Sequence, residues 1–230
     1  MPNIIAIGNI GASQIVVDMF VTLGNTVQNL TVPLDFDSTA IAGADVVVWA
    51  STASQDDLLT MDEAAVLRDY VAGGGTLMIV VDDPTNASEL AEVQSLAATV
   101  GISASVGGTQ GFGVASYSEN AYTQAYGLTG GSFFGLYAPI VSNAATVIAA
   151  TDMGEPVVTR ETVGAGGGQV FMVALTTNFG AGLAAAVTTD LPPAPEFALT
   201  SDTGALDTDG VSTEDTVTVV RDLTPGWSYE

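Results

Sequence analysis

The chain has no cysteine, no histidine and no lysine, and its only cations are Arg68, Arg160 and Arg221. Each absence removes chemistry. Without cysteine there are no disulfides, no thiolate nucleophiles and no zinc–thiolate sites. Set against 26 acidic residues, three arginines leave a net charge of -23. Such a surface repels nucleic acid and anionic membranes and attracts cations, so nucleic-acid binding is excluded. Long hydrophobic runs are also missing. The longest fall well short of the ~18 residues of a membrane span, so no membrane insertion is expected. Met1-Pro2-Asn3-Ile4 carries neither the basic region nor the apolar core of a signal peptide. An export signal is therefore expected elsewhere in a longer protein, or Met1 opens an excised fragment.

What is present is 47% apolar residues in a chain of 230, with 13% charged. That composition fits a globular protein with one domain plus an extra piece. Acidic surfaces accompany either high salt or an extracellular, calcium-rich setting. The abundant Gly, Ala, Thr and Val favour the extracellular reading.

Asp45 to Asp83 organises the chain. Asp45-Val46-Val47-Val48-Trp49-Ala50 and Gly75 to Val81 are continuous apolar runs, the pattern of parallel strands covered on both faces. Between them, Thr60 and Glu63 form a capping box, and Ala64, Leu67, Tyr70 and Val71 make one apolar stripe that stops at Gly73. Upstream, Asn3 to Gly8 reads as a strand, followed by a turn and a helix from Ser13 with Ile15, Val16, Met19, Phe20 and Leu23 on one face. Val27 to Val32 is a second strand. Downstream, Asn86 with Glu89 caps a helix bearing Leu90, Val93, Leu96, Ala97 and Val100, and Ile102 to Val106 is a further strand. This alternation predicts an α/β fold with an open, doubly wound, mostly parallel sheet.

Gly107 to Gly135 loses periodicity, and fits either a lid or a β-meander covering a sheet edge. Ala145 to Ala150 is a strand, and Pro156 to Thr162 and Gln169 to Leu175 form a C-terminal β-hairpin across a glycine-rich turn. Leu191-Pro192-Pro193-Ala194-Pro195 is a stiff linker. The expected organisation is therefore an α/β domain over 1–190, a Pro-rich linker over 191–196, and a Thr- and Asp-rich segment over 197–230. That last piece is too short for a whole β-sandwich of about 100 residues.

Residues 3 to about 180 resemble a class I glutamine amidotransferase-like, flavodoxin-like domain. The resemblance rests on Ala44 to Trp49, Leu67 to Gly75, Thr76 to Val81, and Gly154 to Arg160 with Gly166 to Phe171. In catalytic members a cysteine follows the strand equivalent to Leu77–Val81, and a histidine follows the one equivalent to Val170–Leu175. Here those positions hold Asp82-Asp83-Pro84 and Thr176-Thr177-Asn178, so the resemblance implies a domain without amidotransferase chemistry. Residues 197–230, through Leu199 to Gly204, Asp207 to Ser212 and Thr216 to Val219, resemble the first strands of bacterial Ig-like repeats in very large secreted adhesins. That implies a short, partial β-sandwich (Ig-like) segment, an extracellular or cell-surface location, and neighbouring domains of a longer chain as partners.

The expected function is a non-catalytic structural or ligand-binding module of such a protein. The alternative is a carboxylate- or metal-dependent hydrolase acting at the C-terminal edge of the sheet. Ligands of open α/β sheets bind at that edge, where the candidates are Gly8, Asn9, Ser51, Thr52, Asp82 and Asp83, with the Asp82-Asp83 pair supplying the only carboxylates. No organic cofactor is implied. Calcium is the candidate metal, because Asp202, Asp207, Asp209 and Asp215 cluster among glycines and hydroxyl residues, and calcium takes 6–8 oxygen ligands. Asp207-x-Asp209-Gly210 lacks the rest of an EF-hand loop, and a solvated acidic turn is the plainer reading of the cluster.

Overall fold

Apolar runs without alternation build the centre of this molecule, and they do so as parallel strands. The computed structural model describes residues 1–8, 17–31, 36–51, 59–81, 86–107, 111–128, 130–174 and 180–189. The strands are β1 (Asn3–Gly8), β2 (Thr26–Thr31), β3 (Val46–Ala50), β4 (Thr76–Val80), β5 (Ser105–Val106), β6 (Gly111–Tyr117), β7 (Phe133–Tyr137), β8 (Ile140–Val141), β9 (Thr146–Thr151), β10 (Pro156–Val163) and β11 (Gly168–Val173). The helices are α1 (17–22), α2 (Met61–Ala72), α3 (Ala87–Val100), α4 (Ala121–Ala125) and α5 (Gly180–Thr189).

A nine-stranded sheet runs in the order β2-β1-β3-β4-β11-β10-β9-β6-β7. From β2 to β11 every neighbouring pair is parallel; from β11 to β7 every pair is antiparallel. The sheet is thus mixed, with a parallel half and an antiparallel half. Side chains alternate between two cores. Ile4, Ala6, Val46, Val48, Met78 and Phe171 pack with Met19 and Phe20 of α1 and Leu183 and Val187 of α5. Ile5, Ile7, Val47, Trp49, Leu77 and Ile79 pack with Leu67 and Val71 of α2 and Val93 and Leu96 of α3. Helices on both faces explain why the parallel strands are apolar throughout.

The helix signals act locally as expected. Thr60 accepts from the Glu63 N–H while the Glu63 carboxylate takes the Thr60 N–H, closing the capping box of α2. Asn86 caps α3, which ends at Gly101 in the left-handed region. Gly24, also left-handed, follows α1.

Three expectations change, and one open choice is decided. Ile102 to Val106 contributes only the two-residue β5, which pairs with β8 in a separate two-stranded sheet rather than joining the main one. Of the two readings of residues 107–135, the structure shows the β-meander. They supply β6, α4 and the start of β7, an antiparallel extension that covers the sheet edge. Leu23, placed on the apolar face of the first helix, is exposed. Helix α5, over an Ala- and Gly-rich stretch, has no counterpart among the expected elements. Residues 190–230, with the proline linker and the Ig-like segment, lie outside the described residues.

Candidate functional site

The register of the parallel half aligns its strand ends. Gly8 pairs with Ala50, Ala50 with Val80, and Val80 with Val173, so one row of backbone forms the carboxyl edge of the sheet. Gly8 is fitted to that row. Its φ is +113°, and a Cβ there would collide with the Ala50 carbonyl oxygen, so glycine is required for the approach of β1 to β3.

Ser51 stands one step beyond the row and is completely buried. Its N–H donates to the Val80 carbonyl at 3.1 Å, extending the ladder. Its Oγ lies 3.2 Å from the same carbonyl and closer still to Glu89 Oε1, to which its single proton goes. Glu89 is completely buried in the first turn of α3, where the positive end of the helix favours a carboxylate. One turn on, Glu92 Oε1 accepts the Leu59 N–H at 2.5 Å. Glu63 holds Thr60 through N–H and hydroxyl, at 2.7 and 2.6 Å, and accepts the Phe36 N–H at 3.4 Å. Three buried carboxylates thus fasten the chain around the entries to α2 and α3.

Glu89 is the residue that the sequence concealed. Its place three positions after Asn86 makes it look like the second half of a cap. In the structure the Asn86 side chain accepts from the Ser88 and Glu89 N–H groups, while the Glu89 carboxylate turns to Ser51 instead. The expectation that only Asp82 and Asp83 bring carboxylates to this edge is therefore corrected, and Ser51 does have a base beside it. A buried carboxylate polarises a hydroxyl, and here both groups are completely buried. Of the other candidates, Gly8 and Ser51 are brought together; Asn9, Thr52, Asp82 and Asp83 fall outside the described residues, as do Asp202, Asp207, Asp209 and Asp215. Among the described residues, no group of three or more acidic side chains is placed to hold a metal ion.

A second polar constellation lies in the antiparallel half. Tyr137, buried beneath Gly111, donates its hydroxyl to Glu155 Oε2 at 2.7 Å, which raises the Tyr137 pKa because ionisation would break that bond. Glu161 Oε2 accepts the Ser103 N–H at 2.8 Å, and its Oε1 accepts the hydroxyls of Ser103 and Ser142 at 2.9 and 3.0 Å, joining β10 to the small sheet. Both arrangements tie segments together.

No protein-family model and no curated protein matches the chain. Solved structures do. The mmIFT52 N-terminal domain is 12% identical with a TM-score of 0.55, over 76% of this chain and 87% of that one. A β-galactosidase from Rahnella sp. R3 is 19% identical with a TM-score of 0.55, over 83% of this chain but 32% of its own. A putative GMP synthase protein from Thermoplasma acidophilum is 13% identical with a TM-score of 0.53, over 82% of this chain and 94% of that one. At such identities the likeness is one of fold. What is shared is an α/β fold with a large mixed sheet, consistent with a flavodoxin-like domain.

Proposed function

We propose that this chain is a non-catalytic structural or ligand-binding module of a large secreted or cell-surface bacterial protein of the adhesin type. The observation that carries this reading is the state of Ser51. At the edge where open α/β sheets bind ligands, its hydroxyl is completely buried and committed to Glu89, in a chain with no cysteine and no histidine. Nucleophilic catalysis needs an accessible, activated nucleophile, and this pair is built as a fastening. The match to 32% of a β-galactosidase chain supports the modular reading, since a unit of this fold is there one part of something larger. The net charge of -23 and the acidic segment after the proline linker support the extracellular setting and calcium as a partner ion.

The test is turnover. The purified protein is incubated with glutamine and with activated ester and amide substrates, beside a Ser51→Ala/Glu89→Gln variant. Equal, background hydrolysis is expected from both. Hydrolysis by the native chain that is lost in the variant replaces this reading with the alternative, a carboxylate- or metal-dependent hydrolase acting at the carboxyl edge of the sheet. Calorimetry addresses the ion separately: heat that saturates with calcium and disappears in Asp207→Ala/Asp209→Ala is expected. No heat at millimolar calcium removes calcium from the proposal.

A further inference from the structure

The acceptor triplet for N-linked sugars is asparagine, any residue but proline, then serine or threonine. It occurs twice in the chain, as Asn29-Leu30-Thr31 and as Asn86-Ala87-Ser88. The fold treats the two in opposite ways. Asn86 is half-buried as the N-cap of α3, and its side-chain oxygen accepts the Ser88 N–H at 3.0 Å and the Glu89 N–H at 3.4 Å. That carboxamide is committed to the helix. Asn29 lies in β2, the outermost strand of the nine-stranded sheet, and is exposed. Its side chain makes no hydrogen bond among the described residues.

The strand that presents Asn29 also has a need that a sugar would meet. β2 runs in unbroken register with β1, Thr26 to Thr31 against Asn3 to Gly8, without a bulge. Among the described residues nothing pairs with its outer side. Thr26 to Thr31 contains no charged residue and no proline, in a chain whose net charge is -23. Regular, uncharged edges invite pairing with other chains, and natural edges are blunted by lysine, proline, bulges or a covering element. Lysine is absent from the whole chain. A bulky, hydrated sugar chain on this edge blocks strand addition by size and needs no charge to do so. Val27 and Leu30 of the same strand pack against the two cores, so a substituent at the exposed Asn29 displaces neither.

We propose that Asn29 is an N-glycosylation site whose glycan shields the β2 edge, and that Asn86 stays unmodified. The inference rests on the extracellular reading above, because N-linked acceptors are used in secreted chains. The donor is an oligosaccharide joined through a diphosphate to a membrane lipid. The Asn29 amide nitrogen forms a bond to the anomeric carbon of the first sugar. The bond from that carbon to the diphosphate oxygen breaks, and the lipid diphosphate leaves with the electron pair. The amide gives up one proton to a base of the transferase, and nothing is oxidised or reduced. On the folded chain Asn29 is presented at an edge for this step, whereas Asn86 would first have to leave its cap.

Mass mapping of the full chain, recovered from the extracellular or surface fraction of the cells that make it, is the test. Cleavage after Asp18 and Asp35 releases residues 19–35, with Asn29 inside and Asn86 on another peptide. Peptide 19–35 is expected to carry the added mass of one or more sugars, and the Asn86 peptide none. The addition is lost in Asn29→Gln and in Thr31→Ala but kept in Thr31→Ser, since either hydroxyl completes the triplet. Circular dichroism shows native helix content in Asn29→Gln, because the substituted side chain is exposed. An extracellular chain with no sugar on 19–35 overturns the proposal and leaves the module reading standing. Sugar on Asn86 overturns it as well, as does sugar on 19–35 that persists in Asn29→Gln and is therefore linked to a hydroxyl. A chain found only inside the cell overturns the extracellular reading and this inference together.

Discussion

The two halves of the sheet are built on opposite terms. In the parallel half, β3 and β4 are buried at every position, because helices cover both faces. In the antiparallel half, β6 and β7 alternate, with Ala115, Tyr117, Phe133 and Tyr137 turned inward and Phe112, Val114, Phe134 and Leu136 turned outward. One side of that hairpin is thus packed and the other left exposed. Burial on two faces gives a strand little choice of residue. Burial on one face leaves half of its positions available for something other than stability.

The sharpest way to break this contrast is to truncate one phenylalanine in each half. Phe171 of β11 is fully buried, so Phe171→Ala is expected to cost about 3–5 kcal/mol in urea unfolding, by lost transfer energy and a residual cavity. Phe134→Ala, at an exposed position, is expected to stay within about 0.5 kcal/mol. Similar costs would mean that the outward face of the hairpin is buried within the monomer after all.

A smaller effect probes the helix that seals the parallel half. Thr60→Ala removes the side-chain acceptor of the capping box and one of the groups that Glu63 holds, for an expected loss of about 1 kcal/mol. Thr123 plays the reciprocal part at α4, where its hydroxyl accepts the Asn120 N–H. Thr123→Ala should cost less than Thr60→Ala, because α4 is a five-residue turn rather than a layer. The reverse order would place the weight of the fold in the antiparallel half.

The finest distinction is in alkali. Burial raises the pKa of Tyr117 in β6 to about 12, and it raises that of Tyr70 beside β4 further still. Unfolded tyrosines ionise near 10. The contribution of Tyr117 is therefore complete below about pH 10 and is lost as pH climbs toward about 12, while Tyr70 continues to destabilise above that. Tyr117→Phe should flatten the fall in unfolding midpoint between those pH values. An unchanged slope would show that Tyr117 titrates alike in both states.

What the sequence disclosed follows the same division. Val46 to Ala50, Thr60 to Ala72 and Thr76 to Val80 were legible because apolar runs, a capping box and a helical stripe each point to one structure. Strand β6 was hidden because its inward positions are Gly111, Gly113 and Ala115, which leave room for Tyr137 rather than display a hydrophobic face. Helix α5 was hidden because Leu183-Ala184-Ala185-Ala186-Val187 has no polar stripe to set its period. At the candidate site, Gly8 and Ser51 were found from their places at strand ends. Glu89 was missed because a position three residues after a cap explains a glutamate without asking where its carboxylate goes. A buried glutamate one turn into a helix calls for a search for a hydroxyl across the sheet.

The strand order also has a meaning in time. Thr76 of β4 finds its partner in Gln169 of β11, about ninety residues later in the chain, with the whole antiparallel half in between. On a ribosome adding ~5–20 residues per second, that separation is on the order of ten seconds. Through that interval β4 is the outer strand of a half-made sheet, with its apolar faces formed and one edge open. Such an edge is a template for pairing with other chains. The slot that β11 closes is the last of the parallel half to be filled, and until then the nascent chain depends on something else to keep that edge from a stranger.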